Sequence, residues 1–305
     1  MRKTSTITLF LGLIGLAFVL AGCSAVQKGA DILAEKGKIS QSDRDSLVKT
    51  SEALRSSFSE ITEEEEYYIG RAVAAMILSR YKVYENAELT RYLNVMGNAV
   101  AFNSSRPETF AGYHFTILDS DEINALAAPS GFVFITKGLL KRCRDEEMLA
   151  SVLAHEIGHV CAKHGLQSIK KSRLIDAFKL IGQQAVDRYG PEQLSRLTNI
   201  FEDVLGDIAE SLIERGYDRK YEFEADQLAL KFGAKTGYNP NGLTDFLGTL
   251  VGDPSASLGK GWFKTHPTAD QRIEKVKSQV SGMGSIPAKE DLRTKRFLQY
   301  VKNAG

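Results

Sequence analysis

Apolar residues along the chain fall into stretches whose spacing changes at identifiable points, and each spacing predicts an element. The first stretch, Ile7 to Leu20, is apolar almost without a break, Thr8 and glycines excepted. It follows Arg2 and Lys3 and ends abruptly at Leu20-Ala21-Gly22-Cys23. A basic start, a short apolar run and small residues at its end are the layout of an export signal, too short for a convincing membrane span. Residues 24–60 are polar, yet Leu47, Leu54, Phe58 and Ile61 recur near helical spacing and predict a helix over about 41–58. Glu63 to Glu66 open a stronger helix running to about Arg80, with Ile69, Val73, Met76 and Ile77 as its apolar face. The acidic first turn suits the helix dipole, and the glutamate run reads as a solvated helix start. A further helix covers about 87–103, with Leu89, Tyr92, Leu93, Met96 and Val100 inward.

The period then shortens. Tyr113 to Asp119 and Gly131 to Thr136 are rich in β-formers and predict two strands, with no element assigned between them. Leu139 and Leu140 mark a short helix, and Met148, Leu149, Val152 and Leu153 form the stripe of a longer one starting near Asp145. From 165 to 220 two amphipathic groups, Leu174 to Ile181 and Leu194 to Leu205, are separated by Gly190-Pro191 and predict a helical hairpin over a cleft. Another helix begins at Tyr221. The pattern is that of an α+β protein, predominantly helical with a small sheet.

Within the helix after Asp145 lies His155-Glu156-Ile157-Gly158-His159. On a helix the two histidines stack on one face, with about 6 Å of rise between them. Two nitrogens so placed reach one zinc ion at about 2 Å each. Glu156 projects beside them, placed to take a proton from a water that the metal activates. Buried histidines and a buried glutamate are costly without a partner, and a metal supplies one. Gly158 weakens the helix by about 1 kcal/mol relative to alanine, which a close approach of another backbone explains. Of the five histidines, three fall between 155 and 164. His164, five residues after His159, points from a different face and is not expected to be a ligand, and His114 faces outward on a strand.

Composition narrows the alternatives. Lys and Arg number 39 against 38 Asp and Glu, a net charge of +1, which excludes the broad basic surface of a nucleic-acid binder. Small residues before Cys23 resemble the lipobox of bacterial lipoproteins. That resemblance implies cleavage before Cys23, its lipidation, and a membrane tether for the domain that follows; Ser24 after it leans toward the outer membrane. Cys143 and Cys161 stand near opposite ends of one helix, too far apart for a disulfide, and are expected as free buried thiols.

Two histidines do not complete a catalytic zinc site, which usually has three protein ligands and a water. Glu222 and Asp226, in Tyr221-Glu222-Phe223-Glu224-Ala225-Asp226, are four apart and share a helix face, while Glu224 points elsewhere. One carboxylate binds metal and the other orients a ligand histidine from behind. Here the chain resembles the zinc metallopeptidase family that includes HtpX, the CaaX prenyl-protease and BepA. The likeness extends to Ile123-Asn124-Ala125-Leu126-Ala127, to Gly131 through Leu140, and to Thr265-His266-Pro267 with Gln271-Arg272-Ile273, about residues 60–280 in all.

The resemblance implies a zincin-like domain with its sheet edging the active-site cleft and one zinc ion per chain. It implies His155, His159 and Glu222 as ligands, Glu156 as catalytic base, and Asp226 behind the ligands, with Glu224 the alternative ligand. His266 becomes a reversible fourth ligand or a transition-state stabiliser, against the plainer reading of a helix cap before Pro267. Arg272 binds a substrate carbonyl or carboxylate, or pairs with Asp226 or Glu156. Substrate is expected to lie extended along the strand near 131–136, using Asn124, Gly131, Phe132 and Val133. The expected organisation is a signal over 1–22, a lipid-anchored tether and helix over 23–60, a peptidase domain over 61–282, and a tail over 283–305. The expected activity is endoproteolysis of misfolded or unassembled cell-envelope proteins on the periplasmic side. The rival is a lipid-anchored chaperone or binding protein with a blocked site, which the intact Glu156 disfavours.

Overall fold

The structure, a computed structural model, describes residues 61–168, 205–208, 210–251, 262–266, 269–283 and 286–301, with Asp31, Ser40, Arg44, Asp45 and Asp203. The chain divides into two compact units, Met1–Glu60 with Lys171–Ile200 and Ile61–Lys170 with Phe201–Gly305, and nearly all described residues belong to the second. The expected signal, Cys23, the helix over 41–58 and most of the expected hairpin lie outside the described residues. No helix among the described residues is long and apolar enough to cross a membrane.

Helix α1 (Glu63–Arg80) starts with a capping box in which Thr62 and Glu65 satisfy each other's backbone N–H. Its glutamate run is not wholly solvated. Glu66 turns inward and is fully buried, accepting from Arg106 Nη1 at 2.7 Å and from the Ser130 N–H at 3.0 Å. Helix α2 (Ala87–Phe102) is capped by Asn86 and lays Leu89, Leu93, Met96 and Val100 on the core.

The sheet has three strands: β1 (His114–Leu118), β2 (Ala125–Ala128) and β3 (Phe132–Thr136), in the order β1-β3-β2. β1 runs parallel to β3, and β2 antiparallel to it. The tight turn Pro129–Gly131 joins β2 to β3, with Ser130 at φ 63° and Gly131 at φ 94°. A side chain at Gly70 of α1 would stand 2.1 Å from the Pro129 carbonyl oxygen, so only glycine lets the helix press on this turn. β2 has no counterpart in the sequence pattern. Its residues, Ala-Leu-Ala-Ala, are all buried, so alternation is lost, and alanine is a poor β-former.

After α3 (Lys137–Arg142) comes α4 (Glu146–Cys161), capped by Asp145 and buried along its length from Glu146 to Val160. A helix buried all round is the centre of its domain. Lys163, at φ 54°, turns the chain into the one-turn α5 (His164–Gln167). A π-helical turn (Glu210–Arg215) precedes α6 (Arg219–Thr236), α7 (Asn241–Leu250), α8 (Trp262–Thr265), α9 (Ala269–Ser281) and α10 (Asp291–Val301). α10 lies within the stretch read as a tail. Its Phe297 and Val301 join the core, and its Arg296 and Arg293 pair with Glu146 and Glu147 at the start of α4.

Candidate metal centre

His155 and His159 sit one turn apart on α4 and bring their Nε2 atoms to 3.1 Å from each other. Glu222 comes from the first turn of α6. That helix can cross α4 closely because Gly158 has no side chain: a Cβ there would meet the Ala225 carbonyl oxygen at 3.1 Å. The crossing puts Glu222 Oε2 3.6 Å from His155 Nε2 and Oε1 3.4 Å from His159 Nε2. His266, directly after α8, places Nδ1 3.4 Å from His155 Nε2 and 3.0 Å from Glu222 Oε2. Four donors held tetrahedrally at about 2.0–2.1 Å from a zinc ion stand about 3.3–3.4 Å apart. The separations here scatter around that value, so the donors fit zinc in type and in span. All four residues are buried, and their donor atoms lie within 4.8 Å of one another.

Behind this group, His155 Nδ1 lies 2.9 Å from Asp226 Oδ1. A carboxylate only accepts, so Nδ1–H donates, and Nε2 is the nitrogen turned to the donor group. Arg272, fully buried, donates from Nε and Nη2 to the two Asp226 oxygens at 2.8 and 2.7 Å and from Nη1 to Glu222 Oε2 at 2.9 Å. Of the two expectations for Arg272, the pairing with Asp226 is observed, and its guanidinium is committed to carboxylates rather than turned to a substrate.

Burial opposes ionisation of Glu222 and Asp226. His266 and Arg272 nevertheless hold Glu222 well below the usual carboxylate range, and Arg272 and His155 lower Asp226. Burial drives His159 well below its ordinary value. His155 moves up to about 9: burial and Arg272 press it down, but hydrogen bonds to Asp226 and Glu222 outweigh them. Burial also raises Glu156.

Among the described residues neither carboxylate oxygen of Glu156 finds a hydrogen-bond partner, although Glu156 is fully buried. A buried carboxylate without hydrogen bonds is costly and calls for a physical reason. His266 Nε2 stands 3.6 Å from its Oε1 and 3.4 Å from the Ala125 carbonyl oxygen. The sole tryptophan, Trp262, stacks on His266 with ring centroids 4.1 Å apart, and Tyr217 stacks on His159 at 4.4 Å. Neither aromatic was foreseen. Trp262 had a signal, since it precedes His266 by one helical turn, whereas Tyr217 follows a stretch with no motif. Gly216, at φ 75°, lets the Tyr217 N–H reach the Thr265 carbonyl oxygen at 3.2 Å; a Cβ on Gly216 would stand 2.3 Å from that oxygen.

The expected substrate strand needs correction. Gly131, Phe132 and Val133 belong to the turn and to β3, and β3 is the central strand, paired on both sides. It has no backbone edge to offer. Asn124 and Thr136 pair directly across the strands, through the Thr136 N–H to the Asn124 carbonyl oxygen at 3.0 Å. Antiparallel alternation then turns the backbone groups of Ala125 and Ala127 to the other edge of β2, the side on which His266 lies. Asn124 itself is buried, and its Oδ1 accepts from the Ala125 N–H at 2.9 Å and the Thr265 hydroxyl at 3.0 Å. It ties the start of β2 to the segment carrying His266.

Glu224 stays outside the donor group and pairs instead with His164, and His164 in turn reaches His159. Cys143 and Cys161 are both free thiols, as expected, but only Cys143 is buried; Cys161 is half-buried. Burial pushes the Cys143 thiol far up, which leaves it chemically inert.

Most of this region is similar to known proteins. The description of peptidase family M48 matches residues 87–280. The beta-barrel assembly-enhancing protease of Yersinia pestis is 27% identical over 208 residues, covering 65% of this chain and 40% of that protein. Metalloprotease YcaL of Escherichia coli is 31% identical over 174 residues, 55% of this chain and 62% of its own. The mitochondrial metalloendopeptidase OMA1 of Schizosaccharomyces pombe is 30% identical over 155 residues, 50% and 42% respectively. The chain thus spans less than two thirds of each of these relatives. A family match over more than half of its length makes this chain a member of peptidase family M48, and its buried donor set fits zinc.

Proposed function

We propose that His155, His159 and Glu222 hold the zinc, that Glu156 is the catalytic base, and that His266 occupies the fourth position in a resting state. The observation that carries the reading is a donor group of zinc dimensions beside a buried carboxylate that receives no hydrogen bond from the described residues. When bound, zinc supplies Lewis acidity toward a water and the scissile carbonyl. Glu156, with neither oxygen held in a hydrogen bond by the described residues, takes the proton from the attacking water and returns it to the leaving amine. Asp226 and Arg272 hold the tautomer of His155 and the orientation of Glu222. An extended substrate pairs with the backbone of β2 at Ala125 and Ala127, a mode that reads backbone more than side chains. His266 blocks that course, since its ring lies between the Ala125 carbonyl and the donor group; it must withdraw before a peptide enters.

Substrates on this reading are unfolded or misassembled cell-envelope proteins, in keeping with the relatives named for β-barrel assembly. The protein is tethered through lipidated Cys23 on the periplasmic side, at the outer membrane, and serves protein quality control. Zinc content and casein cleavage in the wild type and in Glu156→Gln test the chemistry. The expected result is about one zinc per chain in both, with at least about a hundredfold loss of rate in the variant. Near-normal cleavage by Glu156→Gln would remove the base, and zinc retained in a variant lacking His155, His159 and Glu222 would remove the ligand set.

A further inference from the structure

We propose that His164 and Glu224 form a positioning arm for His159, fixing the ring tautomer and orientation with which that histidine meets the metal. The inference rests on His159 being a zinc ligand. On a continuous helix a residue five positions on would face away from His159. The chain is not continuous there: α4 ends, Lys163 adopts a left-handed conformation at φ 54°, and α5 returns His164 across the end of α4. His164 Nδ1 then lies 2.9 Å from His159 Nδ1, and His164 Nε2 lies 3.3 Å from Glu224 Oε2.

The polarity of this chain of bonds follows from its outer end. A carboxylate accepts only, so His164 carries its proton on Nε2. His164 is fully buried, with its ring 4.4 Å from that of Tyr221, surroundings that favour the neutral imidazole. Its Nδ1 is therefore bare and accepts from His159 Nδ1–H. That leaves the lone pair of His159 on Nε2, the atom facing His155 and Glu222. Reversed polarity would put a proton on Nε2 in the middle of the donor group and exclude the ion.

The two ligand histidines are thus oriented by different means. His155 meets the carboxylate of Asp226 directly, inside the protein, with Arg272 behind it. His159 meets a neutral imidazole first, and the carboxylate at the end of its arm is 55% exposed. A histidine ligand backed by a carboxylate is a more basic donor than one backed by a neutral group. The arm of His159 passes on the orienting effect of a carboxylate while keeping a further negative charge out of the pocket.

The test uses the full-length protein with His164→Phe, His164→Asn and Glu224→Ala. Zinc affinity is read by competition with a chromophoric chelator, geometry by the visible spectrum of the cobalt(II)-substituted protein, and tautomers by nitrogen NMR of the zinc-loaded wild type. His164→Phe should weaken zinc about 10- to 100-fold and shift the cobalt bands, the range found for groups that orient ligand histidines. His164→Asn, whose amide oxygen can stand where Nδ1 stands, should restore most of that loss. Glu224→Ala should weaken zinc several-fold. The NMR should show His164 protonated on Nε2 and His159 on Nδ1. Unchanged affinity and spectrum in His164→Phe and Glu224→Ala, equal losses in the Phe and Asn variants, or a His164 protonated on Nδ1 would each overturn the arm. If His164→Phe does not fold, Glu224→Ala and the tautomers decide. Zinc retained by His159→Ala would instead overturn the ligand assignment, a separate failure.

Discussion

At the scale of single residues, Gly158 shows how an absent atom shapes the site. α6 crosses α4 where a Cβ would sit 3.1 Å from a backbone oxygen, and Glu222 comes into reach only through that crossing. Gly158→Val should lower stability by about 1–3 kcal/mol, as overpacking does, and should also weaken zinc binding. Thermal melts with zinc titration check this, and a variant with unaltered zinc affinity would show that α6 tolerates the displacement. The role of Gly158 was legible because glycine inside a metal motif needs a reason. His155, Glu156 and His159 were legible for a related cause, since function there depends on spacing along one helix. His266 and Arg272 were not legible from spacing at all. They reach the site through three-dimensional packing, and only the family resemblance singled them out. The contact of His164 with His159 was missed because a helical wheel assumes a continuous helix, and Lys163 breaks it.

At the scale of elements, the start of α4 is held by an ionic cluster of its own. Glu146 is fully buried and accepts from Tyr92 at 2.7 Å, from Tyr238 at 3.0 Å and from both Nε and Nη2 of Arg296. The carboxylate lowers its cost of burial by these bonds, and two of them come from α10, far along the chain. Arg296→Ala leaves the carboxylate with only the two phenols. Because Arg296 is itself 46% exposed, the expected loss is modest, about 1–2 kcal/mol, read as a lower urea midpoint. An unmoved midpoint would mean that α10 packs through Phe297 and Val301 alone. This link was hidden in the sequence: Glu146 looks like an ordinary acidic residue in a helix first turn, and α10 is short and mostly polar. β2 was hidden for the opposite reason, being too buried to alternate.

At the scale of the whole molecule, the four donor residues are at most 2% exposed, and the proposed gating has a peptide enter when the segment carrying His266 moves aside. His266→Ala should raise basal casein cleavage if gating dominates. A fall would show that the imidazole contributes more to the transition state than to latency, and no change in activity or zinc affinity would remove both roles. Anchoring is tested separately: Cys23→Ala should abolish lipid labelling and release the protein from membranes, whereas wild type found unmodified in the soluble fraction would contradict it. Zinc should also raise the melting temperature by mass action, and a chelator should lower it. The apo-protein should nonetheless melt cooperatively, because Arg272 already sets a permanent cation against Glu222 and Asp226. That pairing has a consequence for biogenesis. A polypeptide whose cavity carries its own counter-ion does not wait for metal in order to become compact, so maturation divides into two events, folding and then loading. Where it folds and where it acquires zinc need not be the same place.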